Sequence, residues 1–452
     1  VSLDSRPTAD TGFRAVWNLA WPLILSNMTV PLLGLVDTAV VGHLPDSEYL
    51  GAVTLGATLF SFLYWGFGFL RMGTTGLVAQ AWGSSDGDAL RLLLAQGLAL
   101  AAVIGLALLL LGPLLIPLGL GLLDGSRDVS TLAATYAGIR LLSAPAVLVN
   151  YVLIGWFIGI GRTRVTLGLM VLNNAANIVL DLLFVPVLGW TVDGVALASV
   201  LADGLTAVTG LWLARRHLRD LPGRLDVGAL TCAGRYRRLL DVNAALFVRT
   251  LALLFALAFF HAQGAQMGDV TLAANAVLMQ FIMLTSYGLD GFAHAAESLV
   301  GRTLGSGDRA GFARAVRATL FWSLATAVVA ATIFAVGGRA LIALLTDIET
   351  VRQAAARFLP WMVAMPLIAV WSYLLDGIFI GATRTRAMCT TMLAAVFGVY
   401  LPVWLLTRDL GNHGLWLAFT VFTLARSAAL ALTYLRDQRR GGWFETKAAA
   451  AH

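Results

Sequence analysis

Residues 98–120 read LALAAVIGLALLLLGPLLIPLGL, a run with no charged or amide side chain. A helix packed inside a soluble protein needs a polar face, and this stretch has none. A bilayer core of about 30 Å is crossed by roughly 20 apolar residues in a helix. The run therefore predicts a membrane-spanning helix. Outward from it, the same pattern recurs in both directions. Spans are expected at about 14–41, 50–82, 89–116, 131–158, 163–188, 194–215, 238–262, 270–301, 312–336, 352–380, 387–407 and 413–435. Several exceed 25 residues and should tilt or protrude. Composition agrees with this reading. The 452 residues are 59% apolar and only 12% charged, whereas a soluble domain carries about 25% charge to cover its surface. The expected fold class is an all-α integral membrane protein with twelve transmembrane helices.

Loop charge sets the orientation. Of the 31 basic residues, 22 fall on one side of the membrane, four (Arg127, Arg339, Arg352, Arg408) on the other and five within spans. Both termini are expected on the basic, cytoplasmic side. This bias accounts for the net charge of +6 without nucleic acid. The two cysteines, Cys232 and Cys389, are far apart and suggest neither a disulfide framework nor a zinc site.

The chain repeats itself. GWFIGIGRTR (155–164) aligns with GIFIGATRTR (377–386) at an offset of 222, and Tyr151 with Tyr373 at the same offset. So do Gly66 with Gly288, Gly83 with Gly305, Ser84 with Ser306 and Asp86 with Asp308. Six spans per half make the halves parallel repeats about an axis along the membrane normal, as in transporters that bind substrate between two rocking halves. The expected division is an N-terminal lobe (1–215), a basic cytoplasmic linker (216–237), a C-terminal lobe (238–440) and a cytoplasmic tail (441–452).

An ionisable residue near the bilayer centre costs roughly 2.5–3.5 kcal/mol on insertion scales and is a functional candidate by default. The in-span acids are Asp37, Asp181, Asp203, Asp290, Glu297 and Asp376. Asp37, in LLGLVDTAVVG, has no local cation. In apolar surroundings its neutral form is favoured, so it can exchange a proton; the alternative is pairing with an arginine of another helix. Asp181, in NNAANIVLDLLFV, follows Asn177 by one turn and Asn173 by two, a polar stripe on one face. Helix-to-helix hydrogen bonding explains the asparagines about as well, the aspartate less well. Asp203 lies one turn from Ser199 and is expected to join the same coupling cluster as Asp181. Asp290 and Glu297 share a face of span eight, with His294 between them. Asp376 follows Tyr373 in span ten. Arg249, inside span seven, could neutralise Asp290 or Asp376 and make that group a structural network. Of the tryptophans, Trp190 and Trp443 fit interfacial anchors.

NLAWPLILSNMTVPLLGLVDTAVVGHL (18–44) resembles the opening helix of the multidrug and toxic compound extrusion (MATE) family. FLRMGTTGLVAQAWG (69–83), LDGFAHAAESLVGRTLG (289–305) and YLLDGIFIGATRTR (373–386) are similar to its DinF subgroup. The resemblance covers nearly the whole chain in order. It implies a V-shaped pair of six-helix lobes and proton- or sodium-driven antiport of amphipathic, often cationic, organic compounds. It gives Asp37 the place of the first-helix coupling aspartate, and Pro22 that of a proline where the helix bends. Asn177 and Asp181 match an Asn and an Asp of the N-lobe polar cluster, with Ser199 at its hydroxyl position. Acids on the family's seventh, eighth and tenth helices are linked to cation binding. Span seven here carries Arg249 in place of a mid-helix acid, which favours protons over sodium. The expected setting is a monomer in the bacterial inner membrane, contacting lipids and small-molecule substrates, with no cofactor beyond the coupling ion. A lipid-precursor flippase would need a strongly cationic cavity or extra spans. A membrane enzyme would need clustered His and acids at a membrane face or a phosphate-binding loop, and neither HExxH nor GxxxxGK[ST] occurs.

Overall fold

The computed structural model describes residues 10–42, 46–123 and 126–444. Among them every regular element is helical. Six spans build the first repeat: α1 (Phe13–Val41), α2 with α3 (Ser47–Gly66, Phe69–Gly83), α4 (Gly87–Leu123), α5 with α6 (Arg127–Leu141, Ala144–Gly159), α7 (Thr163–Leu182) and α8 (Val192–Arg219). A short α9 (Val227–Thr231) leads to the second: α10 (Ala233–Gln266), α11 (Asp269–Ser306), α12 (Arg309–Leu345), α13 (Glu349–Gly381), α14 with α15 (Thr385–Ala395, Leu401–Thr407) and α16 (Asn412–Arg439). The α5–α6 pair is one span bent by 53° at Leu142–Ser143. The fifth span of each repeat contains a π-helical turn, at Leu183–Val187 and Val396–Tyr400. The first π turn contains Pro186 and the second is followed by Pro402, and proline removes a backbone donor from the ladder. Among the described residues, ten spans and the bent α5–α6 pair are long and apolar enough to cross a membrane, and with α1 they fit the twelve spans that the hydropathy pattern indicates.

The chain divides into two compact units. One is Leu25–Leu239. The other joins the described residues up to Ile24 with those from Leu240 onward. The division falls inside α1, two residues beyond Pro22, although α1 is helical throughout Phe13–Val41. The opening of α1 packs within the second unit: Val16 and Ala20 are buried with Phe292, Ala295 and Leu299 of α11.

The repeat is deeper in the backbone than in the residues. A Cβ at Gly155 would stand 2.4 Å from the carbonyl oxygen of Arg71, and one at Gly377 would stand 2.4 Å from that of Ala293. Gly159 meets Thr75 and Gly381 meets Glu297 in the same way. All four contacts keep the offset of 222. The shared GxxxG therefore seats span four on span two, and span ten on span eight, at backbone contact, a packing that only small residues permit. Left-handed positions also recur at this offset: Ser85 with Gly307, Gly161 with Thr383, and Gly189 with Gly411. At two of these pairs the residue type has changed while the conformation has not.

The stretch between the repeats is docked onto the first unit. α8 continues to Arg219, so the basic linker begins inside a helix. The Arg91 guanidinium then donates to the carbonyls of Leu218 (2.5 Å), Leu221 (2.7 Å) and Pro222 (2.9 Å). It satisfies acceptors that a helix C-terminus leaves open. After α16 the chain folds back as well, and here one expectation is corrected. Trp443 is 5% exposed, packed against Phe312, Phe379 and Tyr434 with Arg384 over its ring. It fills an aromatic pocket of the second unit, where a free interfacial anchor was expected, because Phe312 and Phe379 begin and end neighbouring spans at that level.

Candidate functional site

In the first unit, α7 and α8 lie antiparallel and joined by a short turn, so residues on facing sides meet as rungs. Asn173 Nδ2 donates to Asp203 Oδ1 (3.3 Å), and Asn177 Nδ2 donates to Ser199 Oγ (3.0 Å). Asp181 is the next polar position along α7 and is fully enclosed, at 0% exposure. The i, i+4, i+8 stripe thus faces α8 and forms a ladder whose last polar member on α7 is an acid. On the adjacent side of α7, Asn174 Nδ2 donates to Thr29 Oγ1 of α1 (2.7 Å). Thr29 precedes Asp37 by eight residues on the same helix. The side chain of Asp37 itself lies outside the described residues.

Asp203 joins this ladder through Asn173, but its carboxylate also has a strong cationic partner. Arg140 Nη1 reaches Asp203 Oδ2 at 2.7 Å, with side-chain exposures of 16% and 8%. Arg140 also bonds Ser143 at the bend of span four, and its guanidinium lies 5.6 Å from the Tyr64 ring centroid. Asn150 Nδ2 donates to the Asp203 backbone carbonyl (3.1 Å). One carboxylate therefore ties spans four, five and six together. The Arg140 pairing was not visible in the sequence. The partners are 63 residues apart, and neither lies in a local charge pattern.

The second unit is built differently. At the offset of 222 the positions of Asn173, Asn177 and Asp181 hold Ala395, Val399 and Val403, and Ala395 packs in an apolar core with Val403 against it. Its ionic group lies instead on spans seven, ten and twelve. Asp376 Oδ2 accepts from both Arg249 and Arg426. Of the two acids Arg249 could have neutralised, it bonds Asp376. Arg426 was missed because no acid lies within two turns of it along α16. Tyr373 shares a hydrogen bond with Ser286, and Asp290 is half-buried within electrostatic reach of Arg249 and Tyr373. Glu297, 1% exposed, meets His294: its Oε1 lies 3.1 Å from His294 Nδ1. The candidates of this unit thus include an arginine-bridged carboxylate, Asp376, and a Glu297–His294 contact on α11. No group of His, Cys, Asp and Glu among the described residues has metal-site geometry.

With this arrangement in view, comparison with known proteins places the chain. The MatE family model matches residues 22–183 and 245–405, one match per repeat. DNA damage-inducible protein F of Escherichia coli K12 is 44% identical, covering 95% of this chain and 94% of its own. A probable multidrug resistance protein NorM of Rhizobium meliloti is 27% identical over 94% of this chain and 93% of its own. Among solved structures, a MOP superfamily transporter from Pyrococcus furiosus superposes with a TM-score of 0.83 at 20% identity, covering 94% and 95% of the two chains. At that identity the last comparison speaks for the fold alone. The two family-model matches and the 44% identity over almost the full length decide the matter: this chain is a multi-pass membrane protein of the MatE transporter family.

Proposed function

We propose that this protein exports amphipathic organic compounds, cationic ones among them, by proton antiport with alternating access. The N- and C-termini lie on the cytoplasmic side of an inner membrane, as the 22-to-4 distribution of loop basic residues supports. Asp37 and Asp181 carry the coupling proton, with Asn177 and Ser199 holding Asp181 in place. Asp203 serves as a fixed anchor for the same ladder. Asp376, bridged by Arg249 and Arg426, braces the second unit.

The observation that carries this reading is the enclosure of Asp181 at the end of an amide and hydroxyl ladder. An ionised carboxylate taken out of water costs several kcal/mol unless it is compensated. A conformation that opens the ladder to water therefore favours the charged form, and one that closes it favours the neutral form. A proton taken up on one side and released on the other then biases the exchange between conformations. A cationic substrate competes with the proton for the same negative charge, and this competition is what antiport requires.

The test is transport in proteoliposomes with an imposed proton gradient and ethidium as substrate. Ethidium movement should be accompanied by opposing proton movement and should collapse when the gradient is dissipated. Asp181→Asn should fold normally and lose the coupled movement. Ethidium transport driven by a sodium gradient at equal pH, with no proton movement, would overturn the proton assignment. Undiminished coupled transport by Asp181→Asn would overturn the role of that residue.

A further inference from the structure

A groove of about 730 Å³ opens in the second unit between the C-terminal ends of α10 and α15, the ends remote from the basic linker. Along α10 the lining passes from Phe259 to Gln263, Gln266 and Met267, and along α15 from Leu401, Trp404 and Leu405 towards Arg408 and Asp409. Deepest are Phe259 on α10 and Leu401 on α15, with Trp404 one turn further, 7% exposed and set edge-on to Phe259. Above them Gln263 and Gln266 bring two side-chain amides. At the mouth stand Arg408 and Asp409, where α15 gives way to a turn. At 1.5 Å per residue, the path from Phe259 to Gln266, or from Leu401 to Arg408, is about 10 Å.

Apolar floor, amide tier and charged rim follow the order of a phospholipid at the membrane boundary: acyl chains, ester carbonyls, headgroup. The rim carries one charge of each sign. Arg408 Nε and Asp409 Oδ1 are 3.9 Å apart, with side chains 66% and 95% exposed. So exposed a pair holds together weakly in water, and each charge remains available to a ligand. We propose that this groove binds one phospholipid with a phosphatidylethanolamine headgroup from the leaflet at that end. Its phosphate meets the Arg408 guanidinium. Its ammonium, with three donors, meets the Asp409 carboxylate. The ester carbonyls accept from the amides of Gln263 and Gln266, and the first chain segments lie on Phe259, Leu401 and Trp404. A purely anionic headgroup would face Asp409 unfavourably. A choline headgroup has the charge but no N–H to donate. The volume suits a headgroup with its glycerol and upper chains, within the range of about 300–1,000 Å³ typical of small-molecule sites.

This site is independent of the coupling ladder, so it is tested without transport. Full-length protein, delipidated in detergent, is titrated with dioleoyl phosphatidylethanolamine, phosphatidylglycerol and phosphatidylcholine, and bound lipid is counted by native mass spectrometry. One phosphatidylethanolamine should be retained in preference to the other two. Arg408→Gln and Asp409→Asn should each weaken that retention by about fivefold, the scale of one exposed charged contact. Both are surface changes and should leave the melting temperature in place. Asp409→Asn should also narrow the preference over phosphatidylglycerol. Equal retention of the three lipids would overturn the proposal. So would a phosphatidylethanolamine preference that survives both substitutions, since the lipid would then sit elsewhere.

Discussion

Replacing Asp203 by Leu should test whether that carboxylate anchors the first unit. The substitution leaves the Arg140 guanidinium in place with a side-chain exposure of 16% and no carboxylate at 2.7 Å. Removing one member of a buried ion pair costs roughly 3–5 kcal/mol, because the remaining charge is uncompensated. The Asn173 amide also loses its 3.3 Å acceptor, which adds about 1 kcal/mol. The π contacts of Arg140 with Phe60 and Tyr64 remain and soften the loss. For a unit of this size, 1 kcal/mol moves Tm by about 2–4 °C, so a fall of roughly 6–20 °C is expected. The companion change Arg140→Met removes the orphaned charge at similar volume. Together with Asp203→Leu it should restore most of the loss, since an apolar replacement of a whole buried pair is often neutral. Thermal denaturation of the full-length protein in detergent, completed as a double-mutant cycle, measures both terms. A single variant that loses less than about 1 kcal/mol, or a double variant no more stable than the single one, would refute the anchoring argument. Proton-coupled ethidium transport by the double variant separates the roles further. Retained coupling fits an anchor, and lost coupling in a well-folded double variant would make Asp203 a proton carrier.

Three other outcomes are expected. Gly377→Ala should destabilise by about 1–3 kcal/mol as an overpacked contact, because its Cβ would meet the Ala293 carbonyl at 2.4 Å; a melt unchanged from wild type would contradict the backbone contact. Trp443→Ala should cost about 3–5 kcal/mol by emptying the pocket of Phe312, Phe379 and Tyr434, and limited proteolysis should then cleave beyond Arg439 faster than in the wild type. Asp376→Asn should lower Tm more than Asp181→Asn does, since it strips two buried arginines of the negative charge they share, whereas Asn at the enclosed position 181 removes a carboxylate that the closed ladder favours neutral; equal melts would contradict the bracing role.

Twelve spans, their order and the duplication were legible in the chain alone. The bilayer demands long apolar helices that satisfy their own backbone, and such helices leave a mark in composition that needs no tertiary information. The stripe of Asn173, Asn177 and Asp181 was legible for the same reason: helical periodicity puts those residues on one face wherever the helix goes. Ser199 followed from the family pattern, and Asp203 from its place one turn further along the same helix. The tertiary structure decided which charges meet. Arg140 with Asp203, and Arg249 and Arg426 with Asp376, join residues 50 to 127 positions apart. A charge-to-charge contact depends on distance through space, and no local periodicity encodes it. The structure also decided that Trp443 is enclosed, and that glycine at 161 and threonine at 383 share one left-handed conformation. The chain writes down what each helix is. Which side chains face one another across helices is settled only when the helices pack.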